Sequence, residues 1–320
     1  MRADFRKKLL LSIALGAFVF IGFSIYADTG RLIDAFGRFN WAYAPLILAC
    51  ASANYFFRFR KYDYYTRVLG IHPGTEKNVI IFFTAFMMAV TPGKLGEVLK
   101  SYLLKEVNQT PVSRSAPVIL AERLTDFIGL IVLILIGASM FGQGQTAVLL
   151  FTFFFAGLTS ILMWRRGSLA IIGFVERIPL FRKFVRHLHD GYESMYQLLR
   201  PVPFLYATAL SIVSWAFECF GFWLVLSVFH APPTFMKATF IYSFSTIVGA
   251  LSMLPGGLGT TEGSLTGLTM LAGATRDIAV ASTFIIRIAT LWFAVIVGVV
   301  VTVFFQKRLH VRIEDVDIHA

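Results

Sequence analysis

The sequence predicts an all-α, polytopic membrane protein, and two observations lead to this fold class. Of the 320 residues, 57% are hydrophobic and only 15% are charged, whereas a soluble domain carries about 25% charged residues. So few charges exclude a soluble globular domain and a disordered chain, because they cannot cover a surface that faces water. Six apolar stretches are also long enough to cross a bilayer, which takes roughly 17–25 residues per helix. The predicted spans are Leu9–Ala27, Trp41–Phe57, Ala116–Phe141, Ala147–Trp164, Phe204–Phe229 and Ile278–Phe305.

The first span has a second interpretation. Basic residues precede it, and Ile25-Tyr26-Ala27 at its end resembles a signal-peptide cleavage site. Its apolar core is long for a signal peptide and further spans follow it, which favours an uncleaved anchor. Residues 1–320 then form a single transmembrane domain.

Two further apolar segments, 78–104 and 238–273, are interrupted by breaks rich in proline and glycine. The first break is Pro92-Gly93-Lys94-Leu95-Gly96, and the second is Pro255-Gly256-Gly257-Leu258-Gly259. Proline removes a backbone donor and glycine loosens a helix. Backbone groups freed at membrane depth must face protein or a water-filled cavity. We therefore interpret both segments as re-entrant helical hairpins, with two kinked full spans as the alternative.

Basic residues are concentrated on one side of the predicted spans. With a cytoplasmic N-terminus, the cytoplasmic segments hold 21 Lys and Arg residues, including five in 58–77, while the outer segments hold 4 and membrane depth holds 4. This distribution fits the positive-inside rule and predicts six full spans in the cytoplasmic (inner) membrane, with both termini in the cytoplasm. The net charge of +11 is then explained by topology. A nucleic-acid partner is disfavoured because the bases are spread over five segments.

The two breaks share the pattern P-G-x-L-G, and their prolines are 163 positions apart. A glutamate follows each break (Glu97 and Glu262), and Arg123 and Arg287, 164 positions apart, lie in the spans after the hairpins. The order span, span, hairpin, span occurs twice, so the second set of three spans is upside down. Inverted repeats with interrupted helices are typical of transporters with a site near the membrane midplane. The predicted repeats are about 9–141 and 147–305.

Ionisable residues within the spans are the candidate site residues, since each costs roughly 2.5–3.5 kcal/mol at a helix centre. An arginine offers a planar fork of donors that suits phosphate. Arg123 and Arg287 are therefore predicted to hold a lipid phosphate from both sides of the midplane, or to form ion pairs with Glu97 and Glu262, and the two roles are compatible. These glutamates could instead bind a cationic head-group or carry a coupling proton. The candidates for binding and gating are Arg123, Arg287, Glu97, Glu262, Lys94, Pro92, Gly93, Gly96, Pro255, Gly256, Gly257 and Gly259.

Three other carboxylates are secondary candidates. Glu122 and Asp126 are four residues apart and share a helix face, although Asp126 could equally be a solvated charge at the membrane rim. Glu218 lies in mid-span, where we expect it to pair with another helix or to be neutral. The six histidines all fall outside the spans, and the sequence contains no phosphate loop or dinucleotide motif. We therefore expect no metal, no cofactor and no enzymatic activity.

The segment 165–203 mixes basic with apolar residues. This pattern predicts an amphipathic helix on the inner leaflet, broken near Pro179, with attraction to anionic lipid. An ordinary basic cytoplasmic loop is the alternative.

Three motifs resemble a known family. They are Thr91-Pro92-Gly93-Lys94-Leu95-Gly96-Glu97, Ala121-Glu122-Arg123-Leu124-Thr125-Asp126, and Leu254-Pro255-Gly256-Gly257-Leu258-Gly259 with Glu262. In this order they resemble the flippase-like integral membrane family, the transmembrane region of lysylphosphatidylglycerol synthetases, which also contains stand-alone membrane proteins. The resemblance implies lipid translocation between leaflets and leaves the lipid open. In the synthetases an aminoacyl-transferring domain follows, whereas this chain stops at Ala320, so lysyl transfer is not expected.

The sequence therefore predicts a lipid flippase or transporter. Its expected partners are membrane lipids that are anionic or carry phosphate: a phospholipid, an aminoacyl-phospholipid or a polyprenyl-linked glycolipid. Two alternatives stay open, namely a small-anion or ion-coupled secondary transporter, and an accessory subunit of a glycolipid-synthesising enzyme that transports nothing. The oligomeric state is also open.

Overall fold

The computed structural model describes residues 18–19, 21–26, 28–91, 97–141, 145–176 and 185–309. Every regular element in these residues is helical, which confirms the all-α prediction. The α-helices are α1 Thr29–Arg38, α2 Ala44–Val68, α3 Thr75–Thr84, α4 Leu99–Asn108, α5 Val112–Phe141, α6 Gln145–Met163, α7 Arg165–Glu176, α8 Val185–Leu198, α9 Pro201–Val228, α10 Phe235–Leu251, α11 Thr260–Leu271, α12 Arg276–Arg287 and α13 Phe293–Phe305. Short 3₁₀ turns occur at Trp41–Tyr43, Ala85–Met88, Pro255–Gly257 and Gln306–Leu309, and a π-turn at Ile288–Trp292 joins α12 to α13.

Four of the six predicted spans correspond closely to long helices: α5, α6, α9 and the α12–α13 rod. The second predicted span ends too early, because α2 continues from Phe57 to Val68. Most of the first predicted span lies outside the described residues, although residues 21–26 are helical. Within the described part of the chain, Pro201–Val228 and Arg276–Phe305 are long and apolar enough to cross a membrane by length and composition.

Large apolar side chains cover the outer surfaces of several helices. A water-soluble protein rarely exposes wide apolar patches, whereas helices in a bilayer present such side chains to lipid tails. The exposed residues include Leu149, Leu150, Phe153 and Phe154 on α6, Val202 and Leu205 on α9, and Ile296, Val300, Val303 and Phe304 on α13.

Both proline-glycine segments contain two short helices, and the structure describes the break between them in the second segment. In the second segment, α11 packs back along α10: a methyl group built on Gly273, after α11, would lie 3.6 Å from Cγ of Pro232, before α10. The first segment consists of α3, the turn Ala85–Met88 and α4, and its break at residues 92–96 lies outside the described residues.

The two predicted repeats are interlocked through glycines. On α13, a methyl group built on Gly298 would lie 2.2 Å from the backbone nitrogen of Met87 in the first proline-glycine segment. On α5, a methyl group built on Gly137 would lie 2.6 Å from the carbonyl oxygen of Met236 and 2.9 Å from Cβ of Phe240, both on α10. Each long helix of one predicted repeat therefore crosses a short element of the other predicted repeat at backbone contact distance.

The segment 165–203 forms the two helices α7 and α8, and its predicted break near Pro179 lies outside the described residues. Helix α8 packs against the start of α5, and its face carrying Met195, Leu198 and Leu199 is buried in the main core. Helix α8 is thus part of the bundle.

Candidate functional site

Glu97, immediately before α4, is bordered by three basic side chains. Nη2 of Arg123 on α5 donates a hydrogen bond to Oε1 of Glu97. Nη2 of Arg58 on α2 lies 3.7 Å from the same oxygen, and Nζ of Lys100 lies 3.7 Å from Oε2. The structure therefore contains the first ion pair that the sequence suggested, and adds two cations to it.

Further ion pairs extend this cluster along α5. Nζ of Lys100 lies 2.6 Å from Glu122, and Nζ of Lys61 lies 2.6 Å from Asp126, which is also 3.9 Å from Nη1 of Arg123. The linked cluster comprises Arg58, Lys61, Glu97, Lys100, Glu122, Arg123 and Asp126. Four bases and three acids leave one formal positive charge.

Asp126 is not a solvated rim charge, and that interpretation is wrong. Its residue surface is 3% exposed. Besides the ion pair with Lys61, its Oδ1 accepts hydrogen bonds from Oγ of Ser211 and Nε1 of Trp215, both at 3.1 Å. A buried charge requires such partners, so Asp126 serves to tie α2, α5 and α9 together.

The second cluster surrounds Glu262 at the start of α11. Nε of Arg287 donates to Oε1 of Glu262 at 2.6 Å, and its Nη2 donates to the carbonyl oxygen of Gly256 at 2.7 Å. Oε2 of Glu262 accepts the backbone N–H of Gly259 at 2.7 Å, which caps α11. Gly256 and Gly259 have φ of +59° and +85°, a region that favours glycine. Together with Pro255 and Gly257, these glycines shape the turn that presents its backbone to Arg287.

The two arginines occupy equivalent places. Each lies eleven residues after the first residue of its helix, Val112 for Arg123 and Arg276 for Arg287, and both helical rods span 30 residues. At about 1.5 Å per residue, this puts each arginine about 16 Å along a rod. Half the thickness of a hydrocarbon core of about 30 Å is close to that distance.

Both clusters line a single cavity of about 300 Å³. Its charged lining residues are Arg58, Glu97, Arg123, Asp126, Glu218 and Arg287, and its apolar wall includes Ala85, Phe86, Leu130, Leu251, Leu254 and Leu291. Leu251, Met253 and Leu254 line the cavity and are also exposed at the protein surface, Met253 by 60%. The cavity thus combines a charged interior with an apolar lip at the end of α10.

Two tyrosines connect this cavity to neighbouring helices. Oη of Tyr242 on α10 donates to Oε2 of Glu218 on α9 at 2.6 Å, so Glu218 pairs with another helix as expected. Oη of Tyr55 on α2 donates at 2.6 Å to the carbonyl oxygen of Thr290. Thr290 lies in the π-turn after Arg287, and π-turns within α-helices are frequent at functional sites.

Arg58 and Lys61 are site residues that the sequence predicted only as part of the cytoplasmic segment 58–77. Lys61 is 0% exposed and the Arg58 side chain is 12% exposed, because α2 continues past the predicted span with these residues facing inward. The sequence contains a pattern that could have identified these two residues. Asn54, Arg58 and Lys61 have the spacing i, i+4, i+7, which marks one face of a helix.

Four of the predicted site residues belong to the first proline-glycine break. Pro92, Gly93, Lys94 and Gly96 lie outside the described residues. Among the residues that are described, no group of three or more His, Cys, Asp or Glu side chains could hold a metal ion.

Comparison with known proteins agrees with the resemblance noted in the sequence. The family model of the lysylphosphatidylglycerol synthase TM region matches residues 9–298. One UPF0104 membrane protein of Methanothermobacter thermautotrophicus is 24% identical over 265 residues, which cover 72% of this chain and 74% of the relative. A second from the same organism is 26% identical over 224 residues, covering 64% and 66% of the two chains. Since the family model covers most of the sequence, the chain belongs to the membrane-protein family of the lysylphosphatidylglycerol synthase TM region.

Proposed function

We propose that this protein is a lipid flippase, which moves a phosphate-bearing lipid between the two leaflets of the cytoplasmic membrane. The observation that carries the proposal is the cavity lined by Arg123 and Arg287, one from each predicted repeat. Two arginines at matching positions suit a phosphate that must be accepted from one side of the membrane and released to the other.

The shape of the cavity supports a lipid as the substrate. A lipid has a charged head and an apolar tail, and the cavity has a charged wall and an exposed apolar lip formed by Leu251, Met253 and Leu254. In this proposal the head-group enters the charged interior while the tail stays against the lip, in contact with the bilayer. A small soluble anion has no apolar tail that would contact such a lip.

The proposed topology is six full spans and two re-entrant hairpins, arranged as an inverted repeat with both termini in the cytoplasm. The matched ion pairs Glu97–Arg123 and Glu262–Arg287 support the repeat, since their partners are 26 and 25 residues apart. The glycine crossings at Gly137 and Gly298 support it as well. Rocking of one half against the other would expose the cavity to each leaflet in turn.

The proposal assigns transport without chemical conversion of the lipid. The cavity has charged side chains that bind and release an anion, and the energy source would be an ion gradient or the lipid gradient itself. The arginines and glutamates would exchange partners as the phosphate enters, so that the two ion pairs also act as gates.

The direct test is reconstitution into liposomes that contain fluorescent lipids with different head-groups. We expect faster leaflet exchange of at least one phosphate-bearing lipid than in protein-free liposomes, with no acceleration for a labelled diacylglycerol. No acceleration with any anionic, zwitterionic or aminoacylated phospholipid, nor with a polyprenyl-linked phosphate, would contradict the proposal.

A further inference from the structure

We propose that Arg58 binds the phosphate directly, together with Arg123 and Arg287, whose donors are engaged by protein acceptors until the phosphate enters. This inference rests on the proposed function and adds a third contact within the same cavity. It concerns a residue that the sequence predicts to lie in a cytoplasmic segment and that the structure places in the cavity wall.

The guanidinium of Arg58 differs from those of Arg123 and Arg287 in its hydrogen bonds. Arg123 donates to Glu97, and Arg287 donates to both Glu262 and the carbonyl oxygen of Gly256. The guanidinium of Arg58 makes no hydrogen bond to a described residue: its approach to Glu97 is 3.7 Å, and its buried Nε has no partner. A buried donor without a partner costs free energy, and an anion in the cavity would remove that cost.

Two aromatic rings fix the position of the Arg58 guanidinium. The Cζ atom of Arg58 lies 5.7 Å from the ring centroid of Phe86 and 6.0 Å from that of Trp215. Such contacts favour a cation over the face of each ring. Because Phe86 belongs to the first hairpin and Trp215 to α9, they fix the guanidinium between two elements that line the cavity, ready for a planar, bidentate contact.

The two ion-pair clusters that line the cavity differ in formal charge. Arg58 belongs to the cluster of four bases and three acids, so the formal positive charge left over in that cluster lies next to the cavity. Around Glu262, by contrast, the described ion pair has one base and one acid. Between the two ion-pair clusters, the excess positive charge is therefore on the side of Arg58, while the remaining carboxylate of the cavity wall, Glu218, accepts a hydrogen bond from Tyr242.

The test is binding to the full chain in dodecyl maltoside, a detergent without phosphate, measured by titration calorimetry. The ligands are dihexanoyl phosphatidylglycerol, inorganic phosphate and the neutral dihexanoylglycerol. Arg58→Gln should weaken phosphatidylglycerol binding about tenfold or more, the range expected for loss of a charge-assisted hydrogen bond. Arg58→Lys should recover part of the affinity, because it keeps the charge and loses the fork. Arg60→Gln is the matched control, since Arg60 is exposed on the same helix, and it should leave the affinity unchanged.

The outcomes separate this inference from the proposed function. Wild-type binding of phosphatidylglycerol that is unchanged in both Arg58 variants would overturn the role of Arg58 and leave the flippase proposal standing. Arg58-dependent binding of inorganic phosphate without binding of the lipid would support an anion site and overturn the lipid as its source. No binding by the wild type would overturn both. If Arg58→Gln does not fold, Arg58→Lys alone decides, because it should still bind several-fold more weakly than the wild type.

Discussion

Nε of Arg287 lies 2.6 Å from Oε1 of Glu262, a carboxylate that is 0% exposed. The other oxygen of Glu262 caps α11, so one side chain both ends the proline-glycine turn and neutralises the arginine of the next helix. Among the described residues Arg287 is the basic partner of Glu262, while Glu97 has three basic neighbours. The two equivalent ion pairs therefore differ in how much the loss of an arginine should cost.

We expect Arg287→Gln to destabilise the protein much more than Arg123→Gln. Removing Arg287 leaves a buried carboxylate uncompensated, which costs roughly 3–5 kcal/mol. Removing Arg123 leaves Glu97 beside Arg58 and Lys100. The measurement is the apparent Tm of each purified variant in the same detergent. Equal losses would show that the two carboxylates do not differ in compensation.

A double substitution provides the control for this prediction. Glu262→Gln in the Arg287→Gln background removes the uncompensated charge, so the double variant should be more stable than Arg287→Gln alone. Additive losses would mean that the pair does not interact in the folded protein.

Gly298 should tolerate no side chain, because α13 crosses the turn Ala85–Met88 at this point. A methyl group built there would lie 2.2 Å from the backbone nitrogen of Met87. Gly298→Ala should therefore lower stability by about 1–3 kcal/mol, the usual cost of overpacking. Gly157→Ala on α6 is the matched control, since nothing lies within 4 Å of its added methyl group. The apparent Tm of both variants checks the prediction, and equal values for the two would contradict the proposed crossing.

The proposed re-entrant hairpins predict which loop ends face the same side of the membrane. In a chain with Cys50 and Cys219 replaced, single cysteines at Glu76 and Lys105 should both react with a membrane-impermeant thiol reagent from the cytoplasm. Cysteines at Met236 and Arg276 should both react from the outside. All four positions are exposed in the structure. Labelling of the two ends of one hairpin from opposite sides would instead mean two kinked full spans.

The sequence was sufficient for the helical class, the second proline-glycine break and both arginine–glutamate pairs. These features depend on local signals: apolar length, breaker residues and the cost of a charge within a span. The similar spacing of Glu97 to Arg123 (26 residues) and of Glu262 to Arg287 (25 residues) made the pairing predictable without any knowledge of packing.

The inward face of α2 was not predicted, and the reason is physical. The positive-inside rule uses the excess of basic residues next to the spans to set orientation, so Arg58 and Lys61 were counted as part of a cytoplasmic segment. Helix α2 continues instead, because the partners that compensate these charges are supplied by α5 and α9: Asp126, Ser211 and Trp215. A local pattern contains no information about partners 65 or more residues away.

The proposal that the paired arginines form a transport site is tested most directly by the rate of leaflet exchange of fluorescent phosphatidylglycerol in liposomes. This rate is compared between the wild type and Arg123→Gln at equal protein content. Arg123→Gln is the informative variant because it is expected to fold. We expect the wild type to exchange the lipid at least about tenfold faster than the variant, which corresponds to the loss of one charge-assisted interaction. Equal exchange by the folded variant and the wild type would contradict a transport site built on the paired arginines.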